Sequence, residues 1–191
     1  MKIVFATNNL HKVKEVQEML PQDIELLTLA QVNINEDIPE DYPTLEGNAL
    51  QKARYIFEKY GYSCFADDTG LEVAALDNEP GVYSARYAGE QKSSEDNIDK
   101  VLAKLGDSSN RKACFRTVIA LILDGKETLF EGRVDGDILT ERHGTDGFGY
   151  DPIFRPEGYT ESFAEMSLDA KNAISHRGRA VAKLVEYLSN L

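Results

Sequence analysis

The chain has 191 residues, with 33 acidic side chains against 21 lysines and arginines and a formal net charge of −12 at pH 7. At 42% hydrophobic and 28% charged, it is long enough to bury a core and too apolar for general disorder. The negative balance, with no lysine/arginine run, excludes a nucleic-acid polymer or an anionic membrane surface as partner, and no stretch approaches the roughly 18 apolar residues that cross a bilayer.

Lys2 to Ala6 reads as a short strand, and Thr7-Asn8-Asn9 as a turn able to cap a helix. Val13, Val16, Met19 and Leu20 then share one helical face, Pro21 ends it, and Ile24 to Leu27 is a second strand. The acidic connection from Asn33 to Thr44 has no periodicity, as functional loops often do not. A helix from Leu45 to Lys59 is expected to bury Ala49, Leu50, Ala53, Ile56 and Phe57. Ser63 to Ala66 is predicted to be a strand ending at Asp67-Asp68-Thr69-Gly70, with residues 71–92 irregular. Ser93 and Asp96 resemble a capping box for a helix that Gly106 closes.

Ala113 to Leu123, apolar and β-branched, is predicted to be a long central strand. Asp124-Gly125 turns it back into an antiparallel partner from Glu127 to Leu139. The last helix starts near Ser175 and buries Ala180, Val181, Leu184, Val185 and Leu188. The pattern is mixed α/β. Cys64 and Cys114 are too few for a disulfide framework, and both lie in apolar runs. They read as reduced, buried thiols of a cytoplasmic protein, an expectation that fits an opening too short for a signal-peptide core.

Four segments place polar residues beside strand ends and glycines. Thr7, Asn8, Asn9 and Lys12 lie at a helix start, where N–H groups and a lysine favour anions, although an ordinary capping turn needs the same residues. Asp67 and Asp68 could hold a hard cation such as Mg²⁺, with Glu40 as a further ligand, or form a solvated turn. Adjacent strand residues point to opposite faces, and parity alone does not say which aspartate looks inward. Phe148, Gly149, Tyr150 and Asp151 offer a ring for stacking and a proton acceptor, or simply a packed aromatic loop. His176 and Arg177, with Lys171 before them, are donors at a helix start that could equally be solvated. Together these are the parts of a nucleoside triphosphatase.

The motifs ATNNLHK (6–12), TLEGNALQKAR (44–54), FADDTGLEV (65–73), PGVYSARYAG (80–89), GFGYDPIF (147–154) and AEMSLDAKNAISHRGRA (164–180), in this order, resemble the Ham1/RdgB family of inosine triphosphate pyrophosphatases. The resemblance covers essentially the whole chain. It implies an ITPase-like (Maf/Ham1) α/β fold: a single elongated domain over residues 1–191, with two lobes around a central mixed sheet and a nucleotide cleft. The activity implied is hydrolysis of XTP, ITP and dITP to the monophosphate and pyrophosphate with Mg²⁺, in a cytoplasmic homodimer. Residue by residue, Thr7 to Lys12 match the triphosphate-binding segment and Asp68 the proton acceptor and metal ligand. Glu40 matches the acidic-loop metal ligand. Thr69, Phe148 to Asp151, Lys171, His176 and Arg177 match substrate contacts. Asn8 stands for the usual glycine of T-G-N, and Leu45 and Gly47 alter the usual T-F-x-E-N-A, without removing a side chain expected to do chemistry.

On this reading His176 and Arg177 donate to the 6-oxo group of a deaminated purine and meet the 6-amino group of ATP badly. Pro80 to Ala88 is the candidate dimer contact, with an internal packing role as the alternative. Two rival readings are a nucleotide sensor without catalysis and an enzyme preferring standard pyrimidine triphosphates. Asp68, Lys12 and Glu40, all present, argue against the sensor.

Overall fold

The chain opens with strand β1 (Lys2–Phe5), helix α1 (Leu10–Met19) and strand β2 (Glu25–Thr28), in a computed structural model that describes residues 1–191. β1 and β2 pair in parallel from Lys2 opposite Glu25 to Phe5 opposite Thr28, so α1 is a crossover helix. Helix α2 (Leu45–Tyr60) begins at Thr44, whose side chain accepts from the Gly47 N–H, and ends at Gly61, left-handed at φ 76°.

Strand β3 (Cys64–Val73) corrects one expectation. It runs through Asp67-Asp68-Thr69-Gly70 without turning and continues to Val73. Turn propensity is overridden by pairing, because β4 (Glu79–Gly81) lies antiparallel to Leu71–Val73. Gly70 serves this pairing rather than a turn: a Cβ there would stand 2.7 Å from the Gly81 carbonyl oxygen. Residues 71–92 are therefore not irregular throughout, and 3₁₀ turns at Ala74–Leu76 and Ser84–Arg86 account for much of the rest.

Helix α3 (Ser94–Leu105) is capped by Ser93, which accepts from the Asp96 N–H, and its end at Gly106 matches the sequence reading. Strands β5 (Lys112–Leu123) and β6 (Lys126–Ile138) are joined by Asp124 and Gly125 at φ 50° and 81°, the two positive angles of a type I′ hairpin. Strand β7 (Phe154–Pro156) pairs antiparallel with the end of β6. Helix α4 (Leu168–Ile174), capped by Ser167, precedes α5 (His176–Ser189), where the sequence suggested one helix only.

The sheet has the order β2-β1-β3-β5-β6-β7, with β4 on β3, and mixes parallel and antiparallel pairs. The chain forms two compact units. The first comprises Met1–Asp68, Thr117–Gly132 and Arg177–Leu191, the second Thr69–Arg116 and Arg133–His176. The first is cored by Ile3, Phe5, Val16, Phe65, Leu121, Val181 and Leu184, with Phe5 and Phe65 stacked at 4.5 Å. The second is cored by Leu71, Val101, Phe115, Ile153, Phe154 and Phe163. Both cysteines are free and buried, and no helix is long and apolar enough to cross a membrane.

Candidate active site

In the first unit the turn after β1 does two jobs. Asn9 caps α1, its Oδ1 accepting from the His11 and Lys12 N–H groups at 3.0 and 3.4 Å, and Thr7 Oγ1 accepts from the Asn9 N–H at 3.1 Å. Asn8 remains exposed. The capping reading therefore holds for Asn9, while Lys12, one turn further on, leaves the helix surface. Its Nζ donates to Asp67 Oδ1 at 3.0 Å.

Asp67 is nearly solvent-free at 1% exposure, and its other oxygen accepts from Arg177 Nε at 3.1 Å. Arg177 also pairs through Nη1 with Glu15, a buried acid on α1 three residues after Lys12. Lys12, Asp67, Arg177 and Glu15 thus alternate in sign, each charge in reach of an opposite one. Burial would raise the Asp67 carboxyl, but Lys12, Arg177 and Lys52 outweigh it and hold it far below the usual range. Burial likewise works against the Arg177 cation, and Glu15 and Asp67 more than restore it.

Asp68 differs in kind. Burial pushes its carboxyl up to about 6, and the nearby Glu40 charge adds to this, against the pull of Lys52, Lys12 and a hydrogen bond from Asn48. Asn48 Nδ2 donates to Asp68 Oδ2 at 3.1 Å. Lys52, one turn along α2, donates from Nζ to Glu40 Oε1 at 2.7 Å and to the Asp67 carbonyl at 2.5 Å. Desolvation lowers the Lys52 ammonium, yet Glu40, Asp68 and Asp67 leave it raised. Asp67 is therefore committed to cations, whereas Asp68 and Glu40 are the carboxyl groups that crowd each other.

The second unit gathers a different set. Asp151 Oδ2 accepts from the Phe148 N–H at 3.1 Å and from Lys171 Nζ at 2.6 Å, with both side chains of the ion pair buried. Gly147 (φ 75°) is required here, since a Cβ would stand 2.2 Å from Asp151 Oδ2. Lys171 Nζ lies 5.0 Å from the centre of the Phe148 ring, which is half-buried. His176 is buried with its ring stacked on Phe115 at 4.6 Å. Tyr150 points elsewhere: its hydroxyl donates to the Ser84 carbonyl at 2.6 Å, and burial raises its pKa. Gly149 has φ 60°, and Thr69 is half-buried in β3.

The solvated-turn and solvated-helix-start alternatives fail, because Asp67, Asp68, His176 and Arg177 are all buried. The pair His176-Arg177 is divided between the two units, and Arg177 uses Nε and Nη1 on carboxylates. Glu15, Asn48 and Lys52 escaped the sequence reading, as polar residues within helices. A signal existed for the last two: at positions 48 and 52 they lie in line with Leu45, Ala49, Ala53 and Ile56, the buried stripe.

The Ham1 family model matches residues 3–187. This chain belongs to the Ham1 family. A dITP/XTP pyrophosphatase of Flavobacterium johnsoniae is 56% identical over 189 residues, covering 99% of this chain and 98% of that one. Among solved structures, the Staphylococcus aureus Ham1 protein (TM-score 0.89, 39% identity) covers 100% of this chain and 99% of its own. A HAM1 protein from Coxiella burnetii (TM-score 0.91, 38% identity) covers 100% of both. The ITPase-like expectation for the fold is met by these neighbours.

The donor set of this Ham1-family chain also tests the expected metal. No group of three or more His, Cys, Asp or Glu side chains is arranged to hold an ion, as a closed, all-protein site of the zinc kind would need. Mg²⁺ asks for less, because it binds through one or two carboxylates and takes its other oxygens from water and phosphates. Asp68 and Glu40, two carboxyl groups whose mutual repulsion a dication would relieve, fit that demand.

Proposed function

We propose that this chain is a nucleoside triphosphate pyrophosphohydrolase of the cytoplasm, a homodimer that converts dITP, ITP and XTP to the monophosphate and pyrophosphate with Mg²⁺. The observation that carries the reading is the contrast between adjacent aspartates. Asp67 is pinned as an anion by Lys12 and Arg177, while burial pushes the Asp68 carboxyl up to about 6. Asp67 has both oxygens engaged by cations, so Asp68 is the carboxyl left to meet a cation or to take a proton from water.

In the reaction, water attacks the α-phosphorus, the bond from that atom to the bridging oxygen breaks, and pyrophosphate departs with the bond's electrons. Asp68 takes the proton from the attacking water. Lys12 and Lys52 neutralise charge on the phosphates, and Thr7 and Asn9 hold the turn that aims Lys12. Asp68 and Glu40 would hold Mg²⁺, which would supply further charge neutralisation and make water more acidic.

Base choice belongs to the second unit. A 6-oxopurine presents an acceptor beside an N–H donor, and adenine presents the reverse. Lys171 and Asp151 are a donor and an acceptor side by side, next to the Phe148 ring and with the His176 ring in the same unit. Each polar group left unpaired by adenine costs about 1–3 kcal/mol, so two give discrimination near a thousandfold. The deciding test is pyrophosphate release with Mg²⁺ across dITP, XTP, ITP, dATP, dGTP and dTTP. The expected order puts the first three at least ~10²-fold above dATP in kcat/KM. No release from any deaminated purine nucleotide would overturn the reading.

A further inference from the structure

The acidic connection that carries Glu40 is tied to α2 at its Tyr42. The Tyr42 N–H donates to Asn48 Oδ1 at 2.8 Å, and the same amide gives its Nδ2 to Asp68 at 3.1 Å. Asn48 is 1% exposed, so losing either bond leaves a buried end of its amide unpaired. Its orientation is fixed by its partners, since an N–H needs the oxygen end and a carboxylate needs the nitrogen end.

Beside it, Gly47 leaves room for Tyr42. A Cβ at Gly47 would stand 2.6, 2.8 and 2.9 Å from Tyr42 Cβ, Cγ and Cδ1. Rotation of the tyrosine about χ1 does not move its Cβ. A side chain at position 47 can therefore enter only if the Tyr42 backbone and the first turn of α2 move apart, which carries the Tyr42 N–H away from Asn48. Gly47 is otherwise poorly suited to the first turn of a helix, where most residues do better. Its presence is explained by the tyrosine packed on it. Further along the same loop, Asp41 and Gln51 exchange two hydrogen bonds, so the clasp at Tyr42 is one of several ties to α2 and not the only support of the fold.

We propose that Tyr42, Gly47 and Asn48 form a clasp that sets the Glu40-bearing loop and Asp68 in register, with Asn48 as the positioning residue. Asn48 is given no chemical step of its own and works through the carboxyl group it holds. It acts on Asp68 directly and on Glu40 through the loop, whereas Gly47 acts on the loop alone. The inference rests on the metal-assisted hydrolysis proposed above, in which Asp68 and Glu40 work as a pair. Partners of this kind around a metal site are commonly worth about 10–100-fold in metal affinity or activity.

The test uses the full chain and two readouts. First, hydrogen exchange at the Tyr42 amide is followed in metal-free protein, where both Gly47→Ala and Asn48→Ala should speed it about 10-fold or more. Second, half-saturating Mg²⁺ and kcat are measured with dITP, where both variants should raise the metal requirement about 10-fold, with KM for dITP changing less. Repeating this in a Glu40→Ala background separates the two routes. There the Gly47→Ala effect should vanish, and part of the Asn48→Ala effect should persist through Asp68. Unchanged exchange at Tyr42 overturns the clasp whether or not the protein hydrolyses dITP. A Gly47→Ala effect of full size in the Glu40→Ala background overturns it as well, since that marks general destabilisation. An inert wild-type protein with Tyr42 exchange responding as expected would sink the hydrolase reading and, with it, the clasp's part in the metal site.

Discussion

Asp67 and Asp68 are neighbours with opposite electrostatic duties, and one substitution made at each should have opposite consequences. Asp67→Asn leaves Lys12 and Arg177 short of a buried anion, and breaking such a pair costs about 3–5 kcal/mol. Asp68→Asn removes a carboxyl that burial already disfavours as a charge, and Asn48 can donate to the new amide oxygen. Urea unfolding at pH 7 should therefore show a large loss for Asp67→Asn and little or none for Asp68→Asn. Turnover should reverse that order, with Asp68→Asn at least ~10²-fold slower. Equal losses of stability would refute the assigned division of labour. Both aspartates were visible as candidates in the sequence, because carboxylates on a short apolar run are conspicuous. Which of them is pinned was not, since the pinning residues Lys12 and Arg177 lie 55 and 110 positions away. Glu15 was invisible for a related reason: an acid within an amphipathic helix looks solvated until its buried arginine is seen.

At the scale of elements, the sequence was most readable where a single local signal governs. The caps at Asn9 and Ser93, the closing glycine at position 106, and the Asp124-Gly125 hairpin all follow from local chemistry at one point. It was least readable where pairing overrides propensity, as in β3, whose second half exists because β4 lies against it. The seam of β3 with α2 gives a prediction of its own. Cys64 is buried, its thiol donates to the Ala53 carbonyl at 3.2 Å, and burial pushes its pKa up to about 12. A free thiol titrates near ~8.5. Between those values the unfolded chain loses a proton that the folded chain keeps, so stability falls as pH rises above about 8.5. Cys64→Ala should flatten the stability profile from pH 9 to 11 by up to about 1.4 kcal/mol per unit, read from urea midpoints. At pH 8 Cys64 should resist alkylation in native protein and react once unfolded. Native-state alkylation at the rate of a free thiol would show that the seam opens easily.

At the scale of the whole molecule, the chain passes between its two compact units at Asp68/Thr69, Arg116/Thr117, Gly132/Arg133 and His176/Arg177. Two of these crossings fall within candidate site segments, which is why sequence neighbours such as His176 and Arg177 end up in different chemical company. One is stacked on Phe115; the other is braced by Glu15 and Asp67. The first unit carries the cations suited to phosphates, and the second carries the ring and the Lys171–Asp151 pair suited to a base. If recognition is divided this way, kinetic effects must divide too. Lys12→Ala removes a charge-assisted contact worth about 1.5–3 kcal/mol to any triphosphate, whatever its base. Its kcat/KM should fall by a common factor, about 10–100-fold, for dITP, XTP and dATP alike. Lys171→Met keeps length and apolar bulk but deletes the donor and leaves Asp151 without that partner. It should lower kcat/KM for dITP and XTP about 10-fold or more and spare dATP, narrowing the ratio between them. A uniform loss across all three nucleotides in Lys171→Met, measured well below its urea midpoint so that the protein is folded, would place that lysine with the phosphate-binding cations instead. A base-dependent loss in Lys12→Ala would show that the first unit also senses the purine. Either result would overturn the division, and the two variants fail in different directions, so one panel of nucleotides judges both.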